Sequence, residues 1–133
     1  NADLYSGIST QVRKGRVLLT GTVPKAQDRI TVTRLVWTID GVKEVINELK
    51  AGEKGGFSQS LSDTTISTKL RARLTADSKI SGINYSIETV AGTIYLMGTA
   101  RNQAELDRGM AYARDLSGVR NVVSYVDVKP GAS

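Results

Sequence analysis

The 133-residue sequence contains no cysteine and no histidine. The first absence forbids disulfides, zinc thiolates, a cysteine nucleophile and a lipidated cysteine within this stretch. The second removes the commonest general base and the commonest metal ligand. Aromatic residues are few: Trp37 is the single tryptophan and Phe57 the single phenylalanine. No apolar run reaches the length needed to span a bilayer. No Ser-x-x-Lys, phosphate-binding loop, dinucleotide fingerprint or calcium-loop spacing occurs. Glu105 and Asp107 are two positions apart on an expected helix and do not face each other. The inventory therefore offers no metal, no cofactor and no catalytic centre, and the expectation is a protein that is not an enzyme. No signal peptide opens the chain, and Asn1 is not a natural start; the expectation is a mature or trimmed segment.

What the sequence does contain is a repeat. Gly15-Arg16-Val17-Leu18-Leu19-Thr20-Gly21-Thr22 is echoed by Gly92-Thr93-Ile94-Tyr95-Leu96-Met97-Gly98-Thr99, 77 positions later. Gly41-Val42-Lys43-Glu44-Val45 is echoed by Gly118-Val119-Arg120-Asn121-Val122 at the same offset. A constant offset means no insertion within the repeat, hence two copies of one small fold. Each copy is of a size at which one core is marginal, and no disulfide reinforces it. Mutual packing or a partner is expected.

Alternation of Ile8, Thr10 and Val12 marks a first strand over residues 6–14. A turn at Lys14-Gly15 joins it to a second, forming a hairpin. Pro24 opens a helix that runs to Thr38 or Ile39, with Val32, Val36 and Ile39 as its buried stripe and Leu35 alongside. Asp40-Gly41 stops it, and residues 42–49 form a third strand. Residues 51–62, rich in Gly and Ser, read as a linker. Gly52-Glu53-Lys54-Gly55 has the GxxG form of an RNA-gripping loop, but it follows a strand and opens the linker, so it reads as linker composition.

Asp63 is expected to cap a helix over 64–76 whose core stripe is Ile66, Leu70 and Leu74. A hairpin follows, in which Tyr85, Ile87 and Thr89 line one strand and Ile94 and Leu96 the other. Asn102 and Glu105 have capping-box spacing at the start of a helix whose buried face is Leu106, Met110, Ala113 and Leu116. A last strand covers 119–128, and residues 130–133 are a tail. The domains are therefore 1–50, with order ββαβ, and 63–129, with order αββαβ. The first lacks an opening helix, which leaves its sheet partly uncovered.

The hairpin with a central Leu-x-Gly-x-Val, then a helix, then Gly-Val-x-x-Val resembles the BON domain, named for bacterial osmotically inducible and nodulation proteins. The residues carrying the likeness are 17–23 and 94–100 in the hairpins, and 37–47 and 116–123 at the closing strands. The resemblance covers nearly the whole chain apart from linker and tail. It implies an α+β fold in which each domain is a three-stranded mixed sheet with helices on one face. It further implies a periplasmic or outer-membrane lipoprotein of Gram-negative bacteria, attached through a lipidated upstream segment, that binds phospholipid and supports envelope integrity or osmotic stress tolerance.

Net charge is +5, mild and spread over both copies: residues 1–50 carry eight basic and five acidic groups, residues 63–133 nine and seven. Such a surplus suits an anionic partner or simply a soluble basic protein. The expected lipid contacts are Lys69, Arg71, Arg73 and Lys79, with Tyr85 as an apolar aid beside Ile80 and Ile83; the alternative is a solvated amphipathic helix with snorkelling edges. Trp37, with Ile30 and Arg34 to one side, reads either as an interface anchor or as a cap on the edge of a small core. Leu18, Tyr95 and Met97 point away from their own helices and form either a contact surface between copies or subunits or cross-strand packing. The leading expectation is an anionic phospholipid membrane as partner. The alternative is an assembly module that forms homo-oligomers or docks onto an envelope protein complex. Nucleic acid is favoured by charge alone.

Overall fold

A computed structural model describes residues 6–52 and 56–130, except for the side chains of Phe57 and Ile83. The chain divides into two compact units, 1–55 and 56–133. Unit 1 holds β1 (Ile8–Arg13), β2 (Arg16–Val23), α1 (Ala26–Trp37) and β3 (Glu44–Ala51). Unit 2 holds α2 (Phe57–Ala76), a 3-10 turn (Gly82–Asn84), β4 (Tyr85–Val90), β5 (Thr93–Ala100), α3 (Gln103–Asp115) and β6 (Asn121–Val128). Both are α+β units: in each sheet the central strand pairs antiparallel with the first and parallel with the last, the mixed three-stranded sheet that the resemblance implies.

The 77-residue offset holds at the level of the backbone. Adding it to either end of β1, β2 or β3 gives the ends of β4, β5 and β6. It also carries the register Ile8↔Gly21 onto Tyr85↔Gly98. Both hairpins close through two residues of positive φ, Lys14 and Gly15 in one and Ala91 and Gly92 in the other, the left-handed pair that matches the natural strand twist. The glycine within each central strand has a sharper reason. A Cβ on Gly21 would lie 2.0 Å from the Gly7 carbonyl oxygen, and one on Gly98 would lie 2.0 Å from that of Asn84. Both glycines also adopt left-handed φ, which a side chain resists. The Gly-Val-x-x-Val segments return to their hairpins by matched bonds, Lys43 N–H to Gly15 O at 2.7 Å and Arg120 N–H to Gly92 O at 2.8 Å.

The core of unit 1 is Val17, Leu19, Val23, Val32 and Leu49, with Ile8, Val36, Val42 and Val45 packed around it. Asn47 on β3 fastens α1 by donating to Arg29 O at 3.0 Å and to the Thr33 hydroxyl at 2.7 Å. Of the expected helix stripe, Ile39 is not buried but 59% exposed, and Leu35 alongside it is 44% exposed. The helix ends at Trp37, which leaves Ile39 in the following turn, and no helix precedes β1 among the described residues to cover either side chain.

In unit 2 the opening helix starts at Phe57, well before Asp63. Residues 57–62, expected as linker, are its first turns, with Gly56 at the N-cap; Glu53, Lys54 and Gly55 of the GxxG segment lie outside the described residues. Asp63 is not a cap. Its carboxylate accepts from Gln59 Nε2 one turn earlier at 2.9 Å and from the Ala91 and Gly92 N–H groups of the β4–β5 turn at 2.8 and 2.9 Å. The helix is tied to the hairpin at the very residue that resembles its start. Ile66, Leu70 and Leu74 do form its buried stripe, against Ile94, Leu96, Ala113 and Leu116.

Candidate functional site

The residues expected to meet a lipid surface fall on and just beyond α2. Each side of that helix is set by its 3.6-residue period. Ile66, Leu70 and Leu74 face the core, so the opposite side presents Leu61, Thr65, Thr68, Ala72 and Ala76 to solvent. Leu61 is 54% exposed. Lys69 stands exposed at one edge of this weakly polar stripe.

The other expected contacts separate. Arg73, half-buried, makes an ion pair with the exposed Asp115 at 3.2 Å, so its charge is partly balanced. Lys79 is exposed beyond the end of the helix. Arg71 is turned inward: it donates to the Gly82 and Tyr85 carbonyl oxygens at 2.6 and 2.7 Å. Its guanidinium holds the 3-10 turn and the start of β4 against α2, a role that removes it from the lipid-facing set. Tyr85 is buried at 4% exposure and belongs to the unit 2 core. It cannot serve as an apolar aid at the surface, because alternation on β4 points it at the helices. Ile80 is likewise buried in that core, and the Ile83 side chain lies outside the described residues.

Of the residues expected at interfaces, Trp37 is half exposed, as is Ile30. Leu18, Tyr95 and Met97 are buried, and sheet alternation places them on the faces opposite α1 and α3.

Two polar networks that the sequence did not disclose lie beside Lys79. In the first, Tyr85 Oη donates to Glu105 Oε1 at 2.6 Å, and Arg101 pairs with the other carboxylate oxygen. The Glu105 side chain is 1% exposed. Burial works against its charge, but the bonds from Tyr85 and Arg101 outweigh it and hold its pKa below the ordinary value. Burial and the same carboxylate push the Tyr85 phenol up. Glu105 thus does not complete the expected capping box. Asn102 accepts from the Glu105 N–H at 2.9 Å, while the Glu105 carboxylate turns inward instead of reaching back.

In the second network, Asp77 accepts from Tyr112 Oη at 2.7 Å and from the Lys79 N–H at 2.8 Å, and it pairs with Arg108. The Tyr112 bond first, then the Lys79 N–H and Arg108, bring its pKa down to about 2. These networks line an open groove at the start of α3, bordered by Lys79, Arg101, Asn102, Glu105 and Arg108. Arg101 and Arg108 are committed to carboxylates there. No helix among the described residues is long and apolar enough to cross a membrane.

With hairpin, glycine positions and helix order in hand, the class of protein is defined. The chain belongs to the BON domain family, whose pattern matches residues 2–53 and again 62–130. It is 39% identical over 127 residues to an uncharacterized protein in the gshII 5' region of Anaplasma centrale, covering 95% of this chain and 84% of that one. It is 30% identical over 109 residues to the outer membrane lipoprotein DolP of Haemophilus influenzae, covering 82% of this chain and 56% of that protein. It is 26% identical over 124 residues to osmotically-inducible protein Y of Escherichia coli, covering 92% of this chain and 62% of that protein. The chain thus spans most of the first relative and somewhat under two thirds of the other two.

Proposed function

We propose that this BON protein is a non-catalytic component of the cell envelope that binds anionic phospholipid surfaces through unit 2. The observation carrying the reading is the solvent face of α2: Leu61, Thr65, Thr68, Ala72 and Ala76, nearly free of charge, with Lys69 at the edge and Arg73 and Lys79 towards the far end. A face of this kind can lie among headgroups without desolvating a carboxylate. Each cation near an anionic surface contributes about 1 kcal/mol, and shallow apolar contact adds to it. Lys69 and Lys79 carry most of the attraction, Arg73 less because Asp115 shares its charge. Arg71 and Tyr85 are the internal supports of the face.

Likeness to an outer membrane lipoprotein and to an osmotically inducible protein supports placement in the periplasm, held to the outer membrane by a lipid anchor outside this chain, with a role in membrane integrity or osmotic stress. The test is flotation with vesicles of zwitterionic lipid alone or mixed with an anionic phospholipid. The chain floats with the anionic vesicles at low salt, and Lys69→Glu combined with Lys79→Glu reduces the floated fraction about tenfold. Equal recovery on both vesicle types overturns the proposal.

A further inference from the structure

One row of side chains on α1 owes its exposure to nothing outside its own helix and sheet. Ala26, Ile30, Thr33 and Trp37 follow each other at steps of four, three and four, so they form one straight strip along the helix. Ala26, Ile30 and Trp37 are exposed and Thr33 is half-buried. Ile30 keeps 57% of its surface in solvent and Trp37 50%. The positions 77 residues later are Gln103, Asp107, Met110 and Arg114 on α3. They too are exposed, exposed, half-buried and exposed, although α2 packs into the core of that unit. The openness of the row is therefore a property of how such a helix sits on its sheet, and it does not depend on what precedes β1. The chemistry is what differs. Unit 2 fills the three exposed places with an amide and two charges, as a solvated surface requires. Unit 1 fills them with an alanine, an isoleucine and the single tryptophan.

The flanks of the strip carry one sign of charge. Arg34 lies four residues after Ile30 and three before Trp37, along one edge. Arg29 lies three residues after Ala26 and four before Thr33, along the other. Both are exposed. Thr33 adds no unmet polar group, since its hydroxyl donates to Arg29 O at 2.9 Å and accepts from Asn47 at 2.7 Å. The single carboxylate of α1, Asp28, is two residues from Ile30 and so on the far side, where it accepts from the Lys25 N–H at 3.0 Å. Asp40 lies beyond the helix end. A second copy is a poor occupant, because packing the strip on itself sets arginines against arginines. The strip is also small. It runs about 16 Å along a convex helix about 10 Å wide, far short of the roughly 800 Å² that each side of a stable protein interface buries. A bilayer surface needs no such area: shallow apolar insertion joined to a few cations suffices, and tryptophan suits the headgroup level, where one side of its ring is apolar and its N–H is wet. We infer that the Ala26-Ile30-Thr33-Trp37 strip of unit 1 is a membrane-contact face for anionic phospholipid, separate from α2 of unit 2, with Ile30 and Trp37 entering among the headgroups and Arg29 and Arg34 meeting phosphates. The inference rests on the reading that this chain binds anionic phospholipid, but not on Lys69 or Lys79.

The test uses the whole chain with small bicelles of zwitterionic lipid, alone or mixed with an anionic phospholipid, at low salt. A nitroxide-bearing lipid marks the top of the acyl region, and NMR reads which amide signals it broadens. With anionic bicelles the broadening is centred on Ile30, Arg34 and Trp37. It persists at those residues in the chain carrying Lys69→Glu with Lys79→Glu. Ile30→Gln with Arg34→Glu removes it and lowers the fraction floated by anionic vesicles about tenfold, of which the lost cation accounts for about fivefold. Both side chains are exposed, so this pair leaves the thermal unfolding temperature within a few degrees. Broadening at Leu61 and Lys69 but not at Ile30 and Trp37 overturns the inference and leaves the unit 2 reading in place. Broadening at Ile30 and Trp37 but not at Leu61 and Lys69 upholds it and removes that reading. No binding to anionic bicelles overturns both. Equal broadening with zwitterionic lipid alone overturns the inference, as do concentration-dependent shifts at Ile30 and Trp37 without lipid, because the occupant is then a second copy.

Discussion

Glu105 and Asp77 are the two carboxylates on which the stability of unit 2 turns. Glu105 is buried and charged, a combination tolerated only with bonds from both Tyr85 and Arg101. Removing one partner of such a group costs more than the bond itself is worth. Tyr85→Phe is expected to destabilise unit 2 by about 1–2 kcal/mol and Glu105→Ala by about 2–4 kcal/mol, because the second leaves the phenol buried without an acceptor. Urea unfolding of the two variants checks the order. Asp77 supplies a pH signature. Its ordinary pKa is 3.8 and its folded one about 2, so the folded state binds fewer protons than the unfolded chain between these values. Its stabilisation is complete above about pH 4 and disappears as pH falls through about 2. Asp77→Asn is expected to flatten the fall in the unfolding temperature over that acid interval. An unchanged slope rules out Asp77 as its source.

Among elements, the hairpins were legible in the sequence and the opening helix of unit 2 was only half so. The Leu-x-Gly and Lys-Gly/Ala-Gly positions are local signals, fixed by what the backbone allows at one residue, and they recur. Residues 57–62 contain three serines, which compete for backbone bonds in isolated helices. Their helical state depends on Asp63 reaching a turn 28 residues away, a contact that no local pattern announces. Arg71 and Tyr85 were misplaced for the same reason: a cation and an aromatic residue near a basic helix look like surface features until the fold turns them inward. Two glycines make a paired test of the element scale. Gly98→Ala drives a Cβ onto the Asn84 carbonyl oxygen and is expected to cost about 3 kcal/mol or more, enough to unfold a domain this small. Gly109→Ala in α3 meets only ordinary contact with Leu74 and is expected to stabilise by up to about 1 kcal/mol through helix propensity. Thermal melts followed by circular dichroism separate the two.

At the scale of the whole molecule, duplication has been followed by divergence. The strands kept their bounds, while the polar networks and the exposed apolar residues came to differ among the described residues. Among the described residues, the core of unit 2 holds ten buried members and that of unit 1 five, so the two halves are unequal in burial. Hydrogen exchange is expected to run faster in β1 and α1 than in β4 and α2, because fewer buried side chains hold unit 1 together among the described residues. Equal protection in the two units counts against that ranking.

Trp37 gives this asymmetry an optical handle. The chain's only indole lies in the first half, while four of its five tyrosines, at 85, 95, 112 and 125, belong to the second. Red-edge excitation of the native chain therefore illuminates one lobe alone. Melting of the first half can be watched by itself without attaching a single dye.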